Sequence, residues 1–282
     1  MKNLLSLAVA LPVDAPDALL IGRVWVEGSG PVLALVTASD VFDLSSVAPT
    51  ASQLLELPEV ARVVRAAAPS LPHLADTAAV LANSAADARK PQLPWLLAPC
   101  DLQALKAAGV TFVASMLERV IEEQARGDAS RAEAVRKAVV SVIGDNLSSI
   151  RPGSPEAAQL KEVLIAQGVW SQYLEVGIGP DAEIFTKSQP LSAVGTGAEV
   201  GLHPHSHWNN PEPEIVLAVN SRGEVQGAAL GNDVNLRDFE GRSALLLGKA
   251  KDNNASCAIG PFIRLFDEHF NIDHVRRSDL TM

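Results

Sequence analysis

The sequence is poor in cysteine and in positive charge, and it has no long hydrophobic run. Its only two cysteines among 282 residues, Cys100 and Cys257, lie far apart, so no disulfide framework is implied and a reducing compartment is expected. The formal net charge of −10 argues against nucleic acid or an anionic membrane as the main partner. No stretch reaches the roughly 18 uninterrupted apolar residues of a membrane span. We therefore expect small-molecule ligands.

The N-terminal segment MKNLLSLAVALPVDAPDA imitates a secretory signal peptide, because Lys2 precedes a short apolar stretch. Pro12 and Asp14 interrupt that stretch, and it carries a single positive charge. We therefore predict a cytoplasmic protein rather than a secreted one.

Three regions of different composition follow one another along the chain. Residues 18–48 hold two β-type runs separated by EGSGP, which predicts two strands and a turn. From about Thr50 apolar residues recur at helical spacing, and after Trp170 β-type runs return among frequent Gly and Pro. We predict an α+β fold: a small β-rich domain with short helices (1–95), a helical region (96–165) and a mixed β-rich domain (166–282).

Several elements can be predicted within these regions. The stretch from Asp101 to Arg126 should be the longest helix, because apolar residues return every three or four positions and Asp101 can cap its start. Ser154 and Pro155 mark the start of a later helix. Helices are also expected in LPEVARVVRAAA, LADTAAVLANSAADARK and ASRAEAVRKAVVSVIG, and strands in EIVLAVN, EVQGAAL and AIGPFIRLF.

Histidines and carboxylates alternate in HPHSHWNNPEPE, residues 203–214. His203, His205 and His207 look like zinc ligands, but Pro204 disfavours a regular strand there and no second motif supports them. In a strand, by contrast, Glu212 and Glu214 would project from one face and could share a cation. A Glu-x-Glu pattern alone is more often a solvated strand face.

Two downstream segments strengthen the interpretation as a metal site. Asp233 lies in GNDVNLRD, where Gly231 permits a tight backbone, and Lys251 lies in GKAKDNNASCAIGP. Three carboxylates with open positions make an oxygen site suited to Mg²⁺ or Mn²⁺.

In their order, PEPE, GNDVNLRD and AKDNNASCAIGP resemble the motifs of the fumarylacetoacetate hydrolase superfamily, over roughly residues 170–267. The resemblance implies a fumarylacetoacetate hydrolase-type catalytic domain in which Glu212, Glu214 and Asp233 bind Mg²⁺ or Mn²⁺. It also implies a homodimer or a larger assembly. The short interval between the glutamates and Asp233, and the wording of the segment around Lys251, are most similar to the 2-keto-3-deoxy sugar acid dehydratases.

The same resemblance suggests roles for four more residues. Lys251 matches the family lysine and would be the catalytic base. The segment EIFTK resembles the substrate-binding strand, which places Lys187 near the ligand, and Arg237 matches a position that contacts substrate oxygens. Glu183, four residues before Lys187, matches the acid/base of the dehydratases.

The reaction implied is the Mg²⁺-dependent dehydration of a 2-keto-3-deoxy pentonate, of the xylonate or arabonate type, to 2,5-dioxopentanoate. Lys251, with a pKa lowered by burial and the nearby cation, would take the C3 proton, and Glu183 would protonate the departing C4 hydroxyl. The alternatives are a hydrolase, decarboxylase or isomerase of another 2-keto acid or acylpyruvate on the same metal scaffold. A truncated protein that binds metal and keto acids without turnover is a further alternative, because the chain ends at HVRRSDLTM, where relatives usually continue.

Overall fold

The architecture is that of a computed structural model, which describes residues 5–109, 150–166, 168, 170 and 174–278, together with 121, 125, 126, 128 and 130–134. The strands are β1 (Leu20–Val26), β2 (Gly30–Val36), β3 (Asp40–Asp43), β4 (His73–Asp76), β5 (Trp95–Leu97), β6 (Leu105–Ala108), β7 (Ile184–Ser188), β8 (Asn209–Asn210), β9 (Pro213–Val219), β10 (Val225–Asp233), β11 (Asn235–Leu236) and β12 (Cys257–Leu265). The helices are α1 (Leu7–Ala10), α2 (Ala51–Leu55), α3 (Val60–Ala67), α4 (Thr77–Ser84), α5 (Pro155–Ala166), α6 (Glu175–Ile178), α7 (Arg237–Glu240), α8 (Leu247–Lys251) and α9 (Ile272–Arg276). Among the helices that the structure describes, none is long and apolar enough to cross a membrane.

A large antiparallel sheet organises these elements. Its strand order is β4-β3-β2-β1-β12-β10-β9, with β5 paired to β1, while β8 pairs with β11 and β6 pairs with β7. The predicted EGSGP turn is confirmed, since β1 and β2 are paired up to Val26 opposite Gly30. The predicted strands EIVLAVN, EVQGAAL and AIGPFIRLF correspond to β9, β10 and β12.

Both faces of this sheet carry a hydrophobic core. Ile21 of β1 packs in the cluster that contains Leu54 of α2 and Val64 of α3. Leu20, the residue before Ile21 in β1, packs in a second hydrophobic cluster, which contains Leu81 of α4. Since successive side chains of a strand point to opposite faces, burial on both sides explains why β1 is apolar along most of its length.

The sheet joins the two ends of the chain. Strand β1 pairs with β12, with Leu20 opposite Arg264, so the N-terminal strands and the strands that carry the family-like motifs lie in one hydrogen-bonded sheet. The division of the chain at residues 95 and 165 stays a prediction.

The predicted helix from Asp101 is wrong at its start. Residues Leu105–Ala108 form strand β6, which pairs with β7 from Leu105 opposite Ser188 to Ala108 opposite Ile184. Asp101 instead caps α2, because its carboxylate accepts hydrogen bonds from the backbone N–H of Ala51 at 2.7 Å and of Ser52 at 3.0 Å. Most of the remaining predicted helix lies outside the described residues.

The other helix predictions fare better. Helix α5 begins at Pro155, and Oγ of Ser154 accepts a hydrogen bond from the N–H of Ala157 at 3.2 Å, as its capping role requires. Helix α3 matches the LPEVARVVRAAA prediction. The helix in LADTAAVLANSAADARK begins later than predicted, since the first three residues belong to strand β4. Of ASRAEAVRKAVVSVIG, residues 130–134 are helical and most others lie outside the described residues.

Candidate metal centre and active site

Two neighbouring strands bring the three predicted metal ligands together. Glu214 of β9 lies opposite Gly231 of β10, and Asp233 ends β10. Glu212 precedes β9 and is fixed through its backbone: its N–H donates to Oδ1 of Asn232 and its carbonyl accepts from the N–H of Asp233, both at 2.9 Å. One oxygen from each of the three carboxylates lies within 4.8 Å of the others.

Gly231 is required for this close approach. A Cβ atom at this position would lie 2.5 Å from Cγ2 of Val216 on the neighbouring strand. Real non-bonded carbons do not come so close, so a larger residue at this position would force the Val216 side chain to move, two residues after Glu214 on the same strand. The sequence prediction of a tight backbone at Gly231 is thus given a physical reason.

Two buried lysines neutralise most of the negative charge. Nζ of Lys251, the last residue of α8, donates to Oε2 of Glu212 through a short hydrogen bond and to Oδ2 of Asp233 at 3.1 Å. Nζ of Lys187 lies 2.8 Å from Oδ1 of Asp233. The exposed fractions of Lys251 and Lys187 are 4% and 2%. With three carboxylates and two ammonium groups, the cluster keeps one formal negative charge in excess.

The pKa values of the site reflect burial and crowding of like charges. Burial raises the pKa of Glu214 to about 7, with repulsion from Asp233 and Glu212 acting in the same direction. Burial also raises the pKa of Glu212, although the Lys251 ammonium opposes it. For Lys251, burial lowers the pKa, but attraction to Glu212, Glu240 and Asp233 outweighs it, so that the pKa is raised. This direction holds for Lys251 beside the carboxylates alone; the lowered pKa expected for Lys251 beside a bound cation stays a prediction.

The donor set fits a hard divalent ion. All three candidate ligands are carboxylates, the ligands that Mg²⁺ and Mn²⁺ prefer. Like charges held this close are stable only when a cation balances them, and the two lysines leave part of that balance unmet. The residues present thus fit the ion that the motifs predict.

Lys187 is held mainly by backbone carbonyls. Besides its ion pair with Asp233, its ammonium donates to the carbonyl of Val234 at 2.9 Å, through a short hydrogen bond to the carbonyl of Lys251, and to Oγ of Ser256 at 3.4 Å. Lys187 also lines the pocket next to the carboxylates. Its predicted contact with a substrate stays a prediction.

The segment around the SCAIGP motif positions Lys251. Oγ of Ser256 donates to the carbonyl of Lys251 at 2.8 Å and accepts from the N–H of Asn253 at 2.9 Å. The ring of Phe185 lies 5.6 Å from Nζ of Lys251. The same segment buries Cys257 as a free thiol in the hydrophobic core.

Glu183 and Arg237 lie nearby but in different surroundings. Glu183 precedes β7 by one residue, and since a strand rises roughly 3.3 Å per residue, its backbone is about 13 Å from that of Lys187. Alternation along the strand points Glu183, Phe185 and Lys187 to the same side. Nε of Arg237, the first residue of α7, donates to Oδ1 of Asn210 at 2.8 Å. The acid/base role of Glu183 and the substrate contact of Arg237 stay predictions.

The histidine cluster has structural partners. The ring of His203 packs edge-on against Phe239 with centroids 5.0 Å apart, and the N–H of His207 donates to Oδ2 of Asp238 at 2.9 Å. Two groups in the described part of the chain could hold an ion, and neither includes these histidines: Glu212 with Glu214 and Asp233, and Asp40 with His73 and Asp76. The structure therefore favours the carboxylates over zinc on the histidines.

Two buried residues of the site were missed by sequence reasoning. Asn235 contacts Glu212 and Glu240 contacts Asn235, with exposed fractions of 1% and 8% for Asn235 and Glu240. The sequence offers one indication that these two residues belong to the site: both follow Asp233 in the polar segment GNDVNLRDFE.

A pocket of about 580 Å³ adjoins the carboxylates. Lys187, Glu214 and Asp233 lie at its polar end, whereas residues of β6 and β9 line its walls, mainly with apolar side chains. Its volume lies within the range of small-molecule sites, about 300–1,000 Å³. The arrangement suits a ligand with an anionic or chelating head and a less polar remainder.

Comparison with known proteins agrees with the motifs. The probable 2-keto-3-deoxyxylonate dehydratase of Haloferax volcanii is 37% identical over 91 residues, which are 32% of this chain and 31% of that protein. The 2-dehydro-3-deoxy-D-arabinonate dehydratase of Saccharolobus solfataricus is 37% identical over 86 residues, 30% of this chain and 29% of that protein. The predicted resemblance is confirmed. No protein-family model matches the chain.

A solved structure of 2-keto-3-deoxy-D-arabinonate dehydratase, complexed with magnesium and 2,5-dioxopentanoate, superimposes with a TM-score of 0.51 at 16% identity. The alignment covers 88% of this chain and 66% of that protein. The chain shares the fold of this dehydratase, including the large antiparallel sheet. It spans less than two thirds of the length of these relatives, so the activity of the whole protein is a matter for proposal.

Proposed function

We propose that the protein is a hydro-lyase that dehydrates a 2-keto-3-deoxy pentonate, of the xylonate or arabonate type, to 2,5-dioxopentanoate. Mg²⁺ or Mn²⁺ would be held by Glu212, Glu214 and Asp233. The observation that carries the proposal is the convergence of these carboxylates with the buried Lys251, next to a ligand-sized pocket that Glu214 and Asp233 line. The dehydratases with similar sequences, and the magnesium complex of the dehydratase with the same fold, support this choice of reaction.

The residues of the site divide the reaction between them. When bound, Mg²⁺ would supply a Lewis acid for the carboxylate and keto oxygens of the substrate. Lys251 would accept the C3 proton, for which its ammonium must first lose a proton. Glu183 would donate a proton to the leaving C4 hydroxyl, so that one molecule of water departs and the unsaturated acid tautomerises to the 2,5-dioxo acid. Arg237 would hold substrate oxygens.

The pocket favours one alternative. Its walls along β9 include Val216, Leu217 and Val219, which suit the hydrocarbon part of a 2-keto acid better than the hydroxyls of a sugar acid. A hydrolase, decarboxylase or isomerase that acts on an acylpyruvate or a similar 2-keto acid would use the same metal cluster. A protein that binds such acids without turnover would use it too.

A direct assay separates these functions. The purified protein is incubated with Mg²⁺ and either 2-keto-3-deoxy-D-xylonate or the L-arabonate analogue, and 2,5-dioxopentanoate is measured; an acylpyruvate is assayed in parallel. We expect product from a sugar acid, and none from the matched variant Asp233→Asn. Cleavage of the acylpyruvate without 2,5-dioxopentanoate would reject the dehydratase in favour of the first alternative, and binding without turnover of either compound would favour the second.

The assembly has its own test. A homodimer or larger assembly is what the resemblance predicts, and sedimentation velocity of the purified chain measures it. A single species with the mass of one chain, 29.7 kDa, would reject that prediction.

A further inference from the structure

Asn235 and Glu240 are buried polar residues for which the mechanism proposed above has no task. Asn235 belongs to β11 and Glu240 ends α7. Burial of a carboxylate is unfavourable unless it is paired or hydrogen-bonded, and Glu240 is buried close to the negative charge of Glu212. Glu240 is therefore expected to destabilise the folded state unless a nearby group compensates its charge.

A single amide group connects Glu240 with the metal cluster. Nδ2 of Asn235 donates to Oε1 of Glu212 at 3.0 Å and to Oε2 of Glu240 through a short hydrogen bond. The two N–H bonds of the amide are thus divided between two carboxylates. The reverse orientation would turn Oδ1 towards both carboxylates and repel them, so the hydrogen-bond pattern fixes which way the amide faces.

The opposite end of the same amide is left without a partner. Oδ1 of Asn235 is buried, and no donor among the described residues reaches it. A buried acceptor without a hydrogen bond destabilises the folded state, whereas an apolar residue of similar shape would avoid that loss. The two carboxylates therefore hold the amide in an orientation that is unfavourable for Asn235 alone.

This arrangement fixes the orientation of the Glu212 carboxylate. Its two oxygens accept hydrogen bonds from different donors, Oε1 from Nδ2 of Asn235 and Oε2 from Nζ of Lys251. We propose that Asn235 and Glu240 are positioning residues: Glu240 orients the Asn235 amide, and the amide holds Oε1 of Glu212, which keeps the Glu212 carboxylate beside Glu214 and Asp233. This inference rests on the metal site of the proposed function.

The test measures metal binding rather than activity. Mn²⁺ alone is titrated into the purified full chain, and the free ion is followed by its electron paramagnetic resonance signal. Asn235→Leu keeps the size of the side chain but removes the donor. We expect it to weaken Mn²⁺ binding by roughly ten- to one-hundred-fold, as loss of a hydrogen bond to a metal ligand typically does.

Two further comparisons separate positioning from general stability. Glu240→Gln retains an acceptor for the amide and should bind Mn²⁺ more tightly than Glu240→Leu, which has none. The matched control is Asn220→Leu, at the turn between β9 and β10. Asn220 is also buried and its Nδ2 also donates to a glutamate, Glu224 at 2.7 Å, but at the opposite end of the same two strands. It should leave Mn²⁺ affinity unchanged.

The outcomes can be told apart. A wild-type chain that binds no Mn²⁺ rejects the proposed metal site and the positioning role with it. A wild-type chain that binds Mn²⁺, alongside a folded Asn235→Leu chain that binds it equally tightly, rejects the positioning role alone. If Asn235→Leu does not fold, as judged by circular dichroism, the Glu240 pair decides: equal affinities of Glu240→Gln and Glu240→Leu overturn the inference.

Discussion

Lys187 shows how one buried ammonium group can support a carboxylate of the site. Its ammonium is bound by Asp233 and by two backbone carbonyls. We expect Lys187→Met to lower the free energy of unfolding by about 3 kcal/mol, because it removes one of the two ammonium groups that balance the buried Asp233. Urea unfolding measures the change, and Lys249→Met, which alters an exposed lysine of the same helix as Lys251, should have little effect. Equal effects of the two substitutions would contradict this role.

The two thiols of the chain are expected to be unreactive for an electrostatic reason. Burial raises the pKa of Cys257 to about 12 and that of Cys100 to about 11. Since the thiolate is the reactive form, and it is scarce well below the pKa, both cysteines should react slowly with a disulfide reagent at pH 8. The measurement is the rate of thiol release from that reagent in native protein and in urea. Fast reaction of the native protein would show that the thiols are more accessible than the structure indicates.

At the residue scale, the sequence indicated the carboxylate cluster better than the residues that support it. Glu212, Glu214 and Asp233 stand in segments whose order resembles a known family, so their convergence could be expected. Asn235 and Glu240 could not be assigned, because an asparagine or a glutamate in a polar segment gives no sign of whether it is buried. The raised pKa of Lys251 was also out of reach, since it depends on carboxylates that only folding brings within hydrogen-bond distance.

At the scale of single elements, the start of α2 depends on a carboxylate almost 50 positions away. Asp101 accepts hydrogen bonds from the N–H groups of Ala51 and Ser52, and from Oγ of Ser52 at 2.7 Å. Burial acts to raise the pKa of Asp101, but these hydrogen bonds, together with one from Leu102, outweigh it and lower the pKa. The ionised form is therefore the one that stabilises the helix.

The substitution Asp101→Asn tests this cap. We expect it to lower the free energy of unfolding at pH 7 by about 1.5–3 kcal/mol, the range for hydrogen bonds to charged groups. Because the folded-state pKa of Asp101 is depressed, its contribution is complete above the unfolded pKa of about 3.9 and disappears as the pH falls through the folded pKa. Urea unfolding should show a constant difference between the two proteins from pH 7 down to about pH 4, and a difference that shrinks as the pH falls further. A difference that stays constant with pH would mean that the carboxylate charge is irrelevant.

Strand β6 explains why the helix predicted from Asp101 was wrong. The residues LQALKAA have a spacing that suits a helix, and nothing local opposes it. These residues form a strand instead because their backbone groups pair with those of β7, almost 80 positions later. Strands such as β1, β2 and β10 could be predicted because turn residues bound them and their composition is β-rich, whereas β6 has neither sign.

At the scale of the whole molecule, β12 connects the core with the metal site. It lies between β1 and β10 in the sheet, with Ile263 opposite Ile21 and Cys257 opposite Asp233. Pairing between residues more than 200 positions apart leaves no local pattern, so the sequence could suggest the strands but not that they share one sheet. The candidate metal ligands Glu214 and Asp233 are consequently carried by strands whose other neighbours form the hydrophobic core.

This connection predicts that metal binding stabilises the whole fold. An ion that binds the folded chain only, at a concentration one hundred times its dissociation constant, should raise the free energy of unfolding by about 2.7 kcal/mol. Thermal unfolding followed with increasing Mg²⁺ should thus show a rising midpoint in the wild type. Asp233→Asn removes a ligand while keeping the shape of the side chain, and should abolish the rise; His205→Ala, which alters the exposed histidine cluster, should retain it. If His205→Ala abolished the rise and Asp233→Asn did not, the ion would be bound by the histidines, and the carboxylate site would be refuted. The comparison therefore decides between the two metal sites that HPHSHWNNPEPE suggested, by a measurement that requires no substrate.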